Sequence, residues 1–121
     1  MKTLKIGIAT LEQYRSRTIA IAKGKYKPRS DEPKIWFTSL ESFAKLLSPE
    51  NRALLRLIAQ THPDSLQELA AKTGRAKSNL SRTLKTMESY GLVEFQDGHG
   101  RNRAPRVNYT DLSLDVPLQA L

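Results

Sequence analysis

Arg75, Lys77, Ser78, Asn79, Ser81, Arg82 and Lys85 bring hydroxyls, a carboxamide and cationic groups together within eleven residues. These side chains are donors and acceptors that can address base edges and phosphates. No acid lies between Lys77 and Lys85 to repel a polyanion. On a 3.6-residue period Ser78, Ser81, Arg82, Lys85 and Ser89 share one side of a helix, and Leu80, Leu84 and Met87 line the other. An apolar back with a front of small and cationic residues is what a helix needs to enter a major groove. A merely solvated amphipathic helix has the same alternation, so the flanking order has to distinguish the two.

Covalent chemistry has no comparable constellation. The chain lacks cysteine, which excludes disulfides and thiolate metal sites, and His62 and His99 are far apart. No histidine–carboxylate set or motif with catalytic spacing is present, so no enzyme activity and no cofactor or metal is expected. Gly98-His99-Gly100 lacks both the P-loop spacing and its Lys-Ser/Thr, and no helix begins there. His62, at a helix end before Pro63, is given no chemistry.

The elements that must position the polar face start at Ser65. Ser65 with Glu68 forms a capping box for a short helix whose Leu66, Leu69 and Ala70 share one face. Gly74 supplies a turn, and a second helix runs from about Lys77 to Tyr90. Val93 and Phe95 then alternate as a strand, with Val107 and Tyr109 as its antiparallel return. The intervening DGHGRNRAPR makes a glycine-rich hairpin tip that places His99, Arg101 and Arg103 to reach phosphate or a minor groove. Helix–glycine–helix–strand–strand is the order of a helix-turn-helix followed by a wing.

Upstream, Leu4, Ile6 and Ile8 alternate as a short strand. A helix follows from about Leu11 to Lys23, boxed by Thr10 and Gln13, with Leu11, Tyr14, Ile21 and Ala22 as its apolar stripe. The segment KGKYKPRSDEPK reads as a linker or exposed loop in which Lys23, Lys25, Lys27 and Arg29 could serve as a basic arm. Ile35-Trp36-Phe37 is a strand that can pair with Leu4–Ile8. Thr38 with Glu41 caps the next helix, which buries Leu40, Phe43, Ala44 and Leu47. Ser48-Pro49-Glu50 restarts a helix to about Gln60, carrying Leu54, Leu55 and Ile58 inward. Leu112, Leu114 and Val116 suit a further strand or a docking tail.

The net charge of +8 is unevenly placed. Residues 1–30 carry eight Lys/Arg against Glu12 alone, and residues 71–106 carry eight against three acids, whereas 31–70 and 107–121 are each net negative. Such a field favours a polyanion; RNA or an acidic protein surface would meet the same distribution. The absence of an 18-residue apolar run excludes a transmembrane helix, and an N-terminus that turns polar early is not a signal peptide. A reducing cytoplasm is the expected compartment.

The order of elements resembles the winged helix-turn-helix of MarR- and ArsR-type regulators. Ser78-Asn79-Leu80-Ser81-Arg82, Leu84, Met87 and Tyr90-Gly91-Leu92-Val93 are similar to the S-x-x-S-R-x-L-x-x-L-x-x-x-G-L-V pattern of those proteins. A narrower resemblance covers almost the whole chain. The N-terminal strand and helix, Phe37–Glu41, Leu47-Ser48-Pro49, Ser65–Ala70, Gly74-Arg75 and Asn108–Leu112 are similar to small MarR-like DNA-binding proteins often encoded beside a toxin gene. In that set an Arg opens the recognition helix, where Arg75 stands here, and the next position tends to be Asp, where this chain has Ala76.

The expected fold class is α+β, a mostly helical winged helix-turn-helix with a two-stranded wing and a small N-terminal strand–helix–strand extension. Residues 1–37 would form that extension, for dimerisation or partner binding. Residues 38–121 would form the DNA-binding domain with its C-terminal strand or tail. The resemblance implies a sequence-specific DNA-binding regulator, the antitoxin and autorepressor of its operon, with a cognate toxin as protein partner. Its DNA would be a pseudo-palindromic duplex operator read by a homodimer, with no membrane involved. The alternatives are a regulator unconnected with a toxin, or a module for RNA or protein.

Overall fold

The computed structural model describes residues 2–118 and shows an α+β chain. Its elements are β1 (Thr3–Ile8), α1 (Leu11–Ala22), β2 (Ile35–Phe37), α2 (Leu40–Leu46), α3 (Pro49–Thr61), α4 (Leu66–Thr73), α5 (Lys77–Ser89), β3 (Glu94–Asp97), β4 (Arg103–Arg106) and β5 (Asp111–Asp115). They divide into two compact units. One runs to Ala44 and resumes at Asp111, and the other is Lys45–Thr110.

In the first unit β1 is the centre of a three-stranded sheet ordered β2-β1-β5. Both pairings are parallel, with Ile8 opposite Phe37 and Leu4 opposite Leu112. Period-2 alternation puts Leu4, Ile6, Ile35, Phe37, Leu112 and Leu114 on one face, and Leu4, Ile6 and Phe37 are buried. The edge of the Phe37 ring meets Phe43 in a T-shaped contact, centroids 5.4 Å apart. The expected pairing of Ile35–Phe37 with Leu4–Ile8 is present. The C-terminal alternation is a strand whose partner is β1.

Helix α1 has the expected Thr10–Gln13 capping box, but its apolar stripe does not face inward. None of its residues is buried, and Leu11 and Tyr14 are exposed. Gln13, Arg17, Ala20 and Ile21 are its less accessible positions, and Arg17 lies over the Trp36 ring, 5.3 Å from its centroid. A cation on an indole face supplies the contact that an aliphatic stripe would otherwise make. The cap of α2 also differs from expectation. Ser39 rather than Thr38 accepts the Ser42 backbone N–H, at 3.0 Å.

In the second unit Ser48 caps α3 with Pro49 in the first turn, as the sequence signals. Leu54 and Ile58 of α3, Leu69 of α4, Leu80, Leu84 and Met87 of α5, and Leu92, Val93 and Ala104 form the core, all nearly inaccessible. The strand β4 differs from the expected return through Val107 and Tyr109. It is Arg103–Arg106, and Asp97 opposite Arg103 closes the ladder. Gly98 donates to the Asn102 carbonyl and Asn102 to that of His99, so the tip is too tight to delay pairing until Val107. Pro105 is fully buried within β4; an edge strand tolerates the missing N–H.

Candidate nucleic-acid interface

The polar face rests on α5, whose rotation is set by its back. Leu80, Leu84 and Met87 are each 0% exposed, so the 3.6 period turns Ser78, Ser81, Arg82 and Lys85 outward. Those four, with Lys77 and Asn79, are all exposed. None of their side chains makes a hydrogen bond or ion pair among the described residues. Their donors and acceptors are therefore available to a ligand without breaking an internal contact. Thr86 and Ser89, further along, bond back to carbonyls of their own helix.

The entry to α5 is shaped by Gly74, which ends α4 in the left-handed region at φ 75° and donates to the Ala70 carbonyl. A side chain there would be strained by conformation, although the space is open. Ser65 accepts the Glu68 N–H at 3.0 Å, but the Glu68 carboxylate takes the N–H of Asp64 rather than that of Ser65. The expected reciprocal box is thus shifted by one residue. Ala76 occupies the N-cap of α5 with no side-chain bond to the helix, so the first amides of α5 lack the side-chain cap that a Ser, Thr, Asp or Asn there would supply.

Arg75 stands apart from the other candidates. Its guanidinium donates to Asn51 Oδ1 at 3.0 Å, and the Asn51 amide donates to the Leu46 carbonyl at 2.9 Å. Arg75 therefore ties the start of α5 to the start of α3. The hairpin residues divide in the same way. Arg103 lies in β4 with its guanidinium 5.3 Å from the Phe95 centroid, a diagonal cross-strand contact. Arg101 is exposed and has no such partner among the described residues.

His99 reports on a residue that sequence patterns pass over. Asp64, between α3 and α4, accepts the His99 backbone N–H at 3.1 Å from each carboxylate oxygen and faces His99 Nδ1 at 3.1 Å. The Asn102 amide donates to it at 3.4 Å. Gly98 permits this approach, because a Cβ there would collide with the Asp64 backbone carbonyl. The His99 backbone bond above all, with help from Asn102 and the imidazole, holds the Asp64 carboxyl below the usual aspartate value against a smaller opposing effect of burial. Arg106 donates to the Pro63 carbonyl at 2.7 Å. The α3–α4 connection thus grips the hairpin at its tip and along β4. An acid directly before a helix-capping serine was the available signal, and it carried no indication of a partner 35 residues away.

Among the described residues no group of three His, Asp or Glu side chains is placed to hold a metal ion, and no helix is long and apolar enough to cross a membrane. The model of the HVO_A0114 family matches residues 46–114, more than half of the chain. The chain belongs to the HVO_A0114 family. No curated protein matches it. The HVO_A0114 match includes α3, α4, α5 and the hairpin, hence every candidate residue from Arg75 to Arg103, while α1 and the basic segment after it lie outside.

Proposed function

We propose that the protein is a cytoplasmic, sequence-specific DNA-binding regulator of the winged helix-turn-helix type. In this reading α4 and α5 are the helix-turn-helix, α5 is the recognition helix, and β3–β4 is the wing. The observation that carries it is the front of α5: Ser78, Ser81, Arg82 and Lys85, flanked by Lys77 and Asn79, are exposed and without internal partners among the described residues, on a helix locked by a buried apolar back. Ser78, Asn79, Ser81 and Arg82 face base edges, and Lys77, Lys85 and Arg101 face phosphates. Arg75 and Arg103 act on that surface by holding α5 and the hairpin in shape. His99, whose ring is almost fully exposed, stays at the wing tip.

A two-fold homodimer would set two such helices about 34 Å apart on a pseudo-palindromic operator. A mobility-shift titration on the protein's own promoter, repeated across salt concentrations, tests this. Salt-sensitive binding that favours the promoter over a scrambled duplex supports the proposal, and no salt-sensitive binding refutes it. Equal or tighter binding to RNA of the same sequence would move the assignment to RNA.

A second role, as an antitoxin that neutralises a toxin encoded beside it, is favoured by a different observation. The exposed large apolar side chains Leu11, Tyr14, Ile19, Tyr26, Leu40, Leu114, Val116 and Leu118 all belong to the first unit. Exposed apolar side chains gathered in one unit are candidates for a surface used in association. Co-expression with the neighbouring gene product tests it: a complex that co-purifies supports the role, and its absence defeats it.

A further inference from the structure

The basic segment after α1 is not a loose linker. At its start, Lys25 and Tyr26 both donate backbone N–H groups to the Ala20 carbonyl, at 2.9 and 3.2 Å. At its end, Glu32 accepts from Arg17 at 2.9 Å and the Asp31 carbonyl from Lys5 Nζ at 2.6 Å, and Pro33 is buried. In the middle, the Tyr26 ring lies 5.8 Å from the Arg17 guanidinium, which also covers Trp36. Pro28 restricts Lys27 to extended backbone. The segment is a strap fastened at both ends and pinned by Tyr26.

Its cations divide sharply. Arg29 is neutralised by Asp31 at 3.3 Å and Glu32 at 3.7 Å. The side chains of Lys23, Lys25 and Lys27 are exposed and have no acidic partner among the described residues. We infer that this strap is a second phosphate-contacting element, with Lys25 and Lys27 gripping the DNA backbone. The inference rests on the DNA-binding reading above. Nucleic acid fits better than an acidic protein because protein interfaces are depleted of lysine and anchored by aromatic side chains. Here the one aromatic of the strap lies over Arg17, and exposed lysines without acidic partners are what phosphate contact requires. Fixing the strap beforehand lowers the ordering cost of that contact.

The test is the salt dependence of binding by the full chain and by K25A/K27A, on the promoter duplex and on a random duplex of equal length. Removing two phosphate contacts should flatten the slope of log K against log salt by about 1.8, so that raising salt from 50 to 200 mM weakens the wild type roughly 12-fold more than the variant. Preference for the promoter should be unchanged, since phosphates carry no sequence information. Y26A keeps the charge but frees the strap, and weaker binding by Y26A with an unaltered melting temperature supports the pinned arrangement. Wild-type binding with an unchanged K25A/K27A slope overturns this inference alone, as it would if the strap served an acidic protein. Absence of wild-type binding overturns the DNA reading beneath it.

Discussion

Leu84 and Lys85 are neighbours in sequence and opposites in role, so replacing each by alanine tests the orientation of α5. Leu84 is 0% exposed between Leu80 and Met87, and truncating a leucine in such a site costs about 3 kcal/mol through lost burial and the cavity left behind. For a protein of this size that lowers the melting temperature by roughly 10 °C or more. Lys85 is exposed and unpaired among the described residues, so its removal should change stability by about 0.5 kcal/mol or less. In the proposed recognition helix it would also remove one phosphate contact. The salt slope then falls by about 0.9, a roughly 3.5-fold smaller loss of affinity between 50 and 200 mM salt. Thermal denaturation and fluorescence anisotropy on the promoter duplex read the two effects separately. If Leu84→Ala melts with the wild type, α5 is not seated on its apolar back. If Lys85→Ala leaves the slope unchanged, its front does not lie on phosphate.

Arg82→Ala should relax sequence preference rather than binding in general. A bidentate contact to a base edge is worth about 1–3 kcal/mol, which predicts a roughly 5- to 150-fold loss in the promoter-to-random ratio, and an equal loss on both duplexes would contradict it. Ala76→Ser supplies the missing N-cap of α5 and should stabilise the chain by about 1 kcal/mol, read as a raised melting temperature; no gain would mean the helix start is satisfied in another way. The Asp64 tether should depend on pH. Its folded value lies below the ordinary 3.8 of an aspartate, so the tether stabilises fully above that value and is lost as pH falls through the lower folded one. The His99 amide resonance should therefore move with a midpoint below 3.8, and Asp64→Asn should abolish the step. A midpoint at or above 3.8 would show that the carboxylate does not hold the tip.

Local signals made most of the second unit legible. Ser48-Pro49, Ser65 and Gly74 mark helix boundaries through bonds that span four residues or fewer, and the burial of Leu80, Leu84 and Met87 follows from period alone. What escaped depends on partners distant in sequence. The β5 strand was recognisable, but nothing local tells Leu112 that it pairs with Leu4. Thr38 and Ser39 are adjacent hydroxyls, either able to cap, and the choice of Ser39 depends on where the chain leaves β2. The α1 stripe misleads because the inward contacts of the helix come from Arg17, which meets Trp36, Tyr26 and Glu32, and not from its aliphatic residues. Asn51 and Asp64 were passed over because their partners, Arg75 and His99, are 24 and 35 residues away.

For the DNA-binding proposal, the net charge of +8 matters less than how its cations are employed. Arg17, Arg75, Arg103 and Arg106 are occupied with a tyrosine and tryptophan, an asparagine, a phenylalanine and a carbonyl. Each would have to break an internal contact before meeting a phosphate, and that cost subtracts from what it contributes to binding. Lys77, Arg82 and Lys85 on α5, Arg101 at the tip, and Lys25 and Lys27 on the strap carry no such cost. At the four engaged positions a planar guanidinium stacks or donates, while four of the six outward positions hold a lysine, where a mobile point charge suffices. The other two outward positions are arginines, Arg101 at the tip and, on α5, Arg82. Arg82 is left unengaged at the centre of the α5 front, which is the position where a planar, bidentate donor would read a base rather than only hold a phosphate.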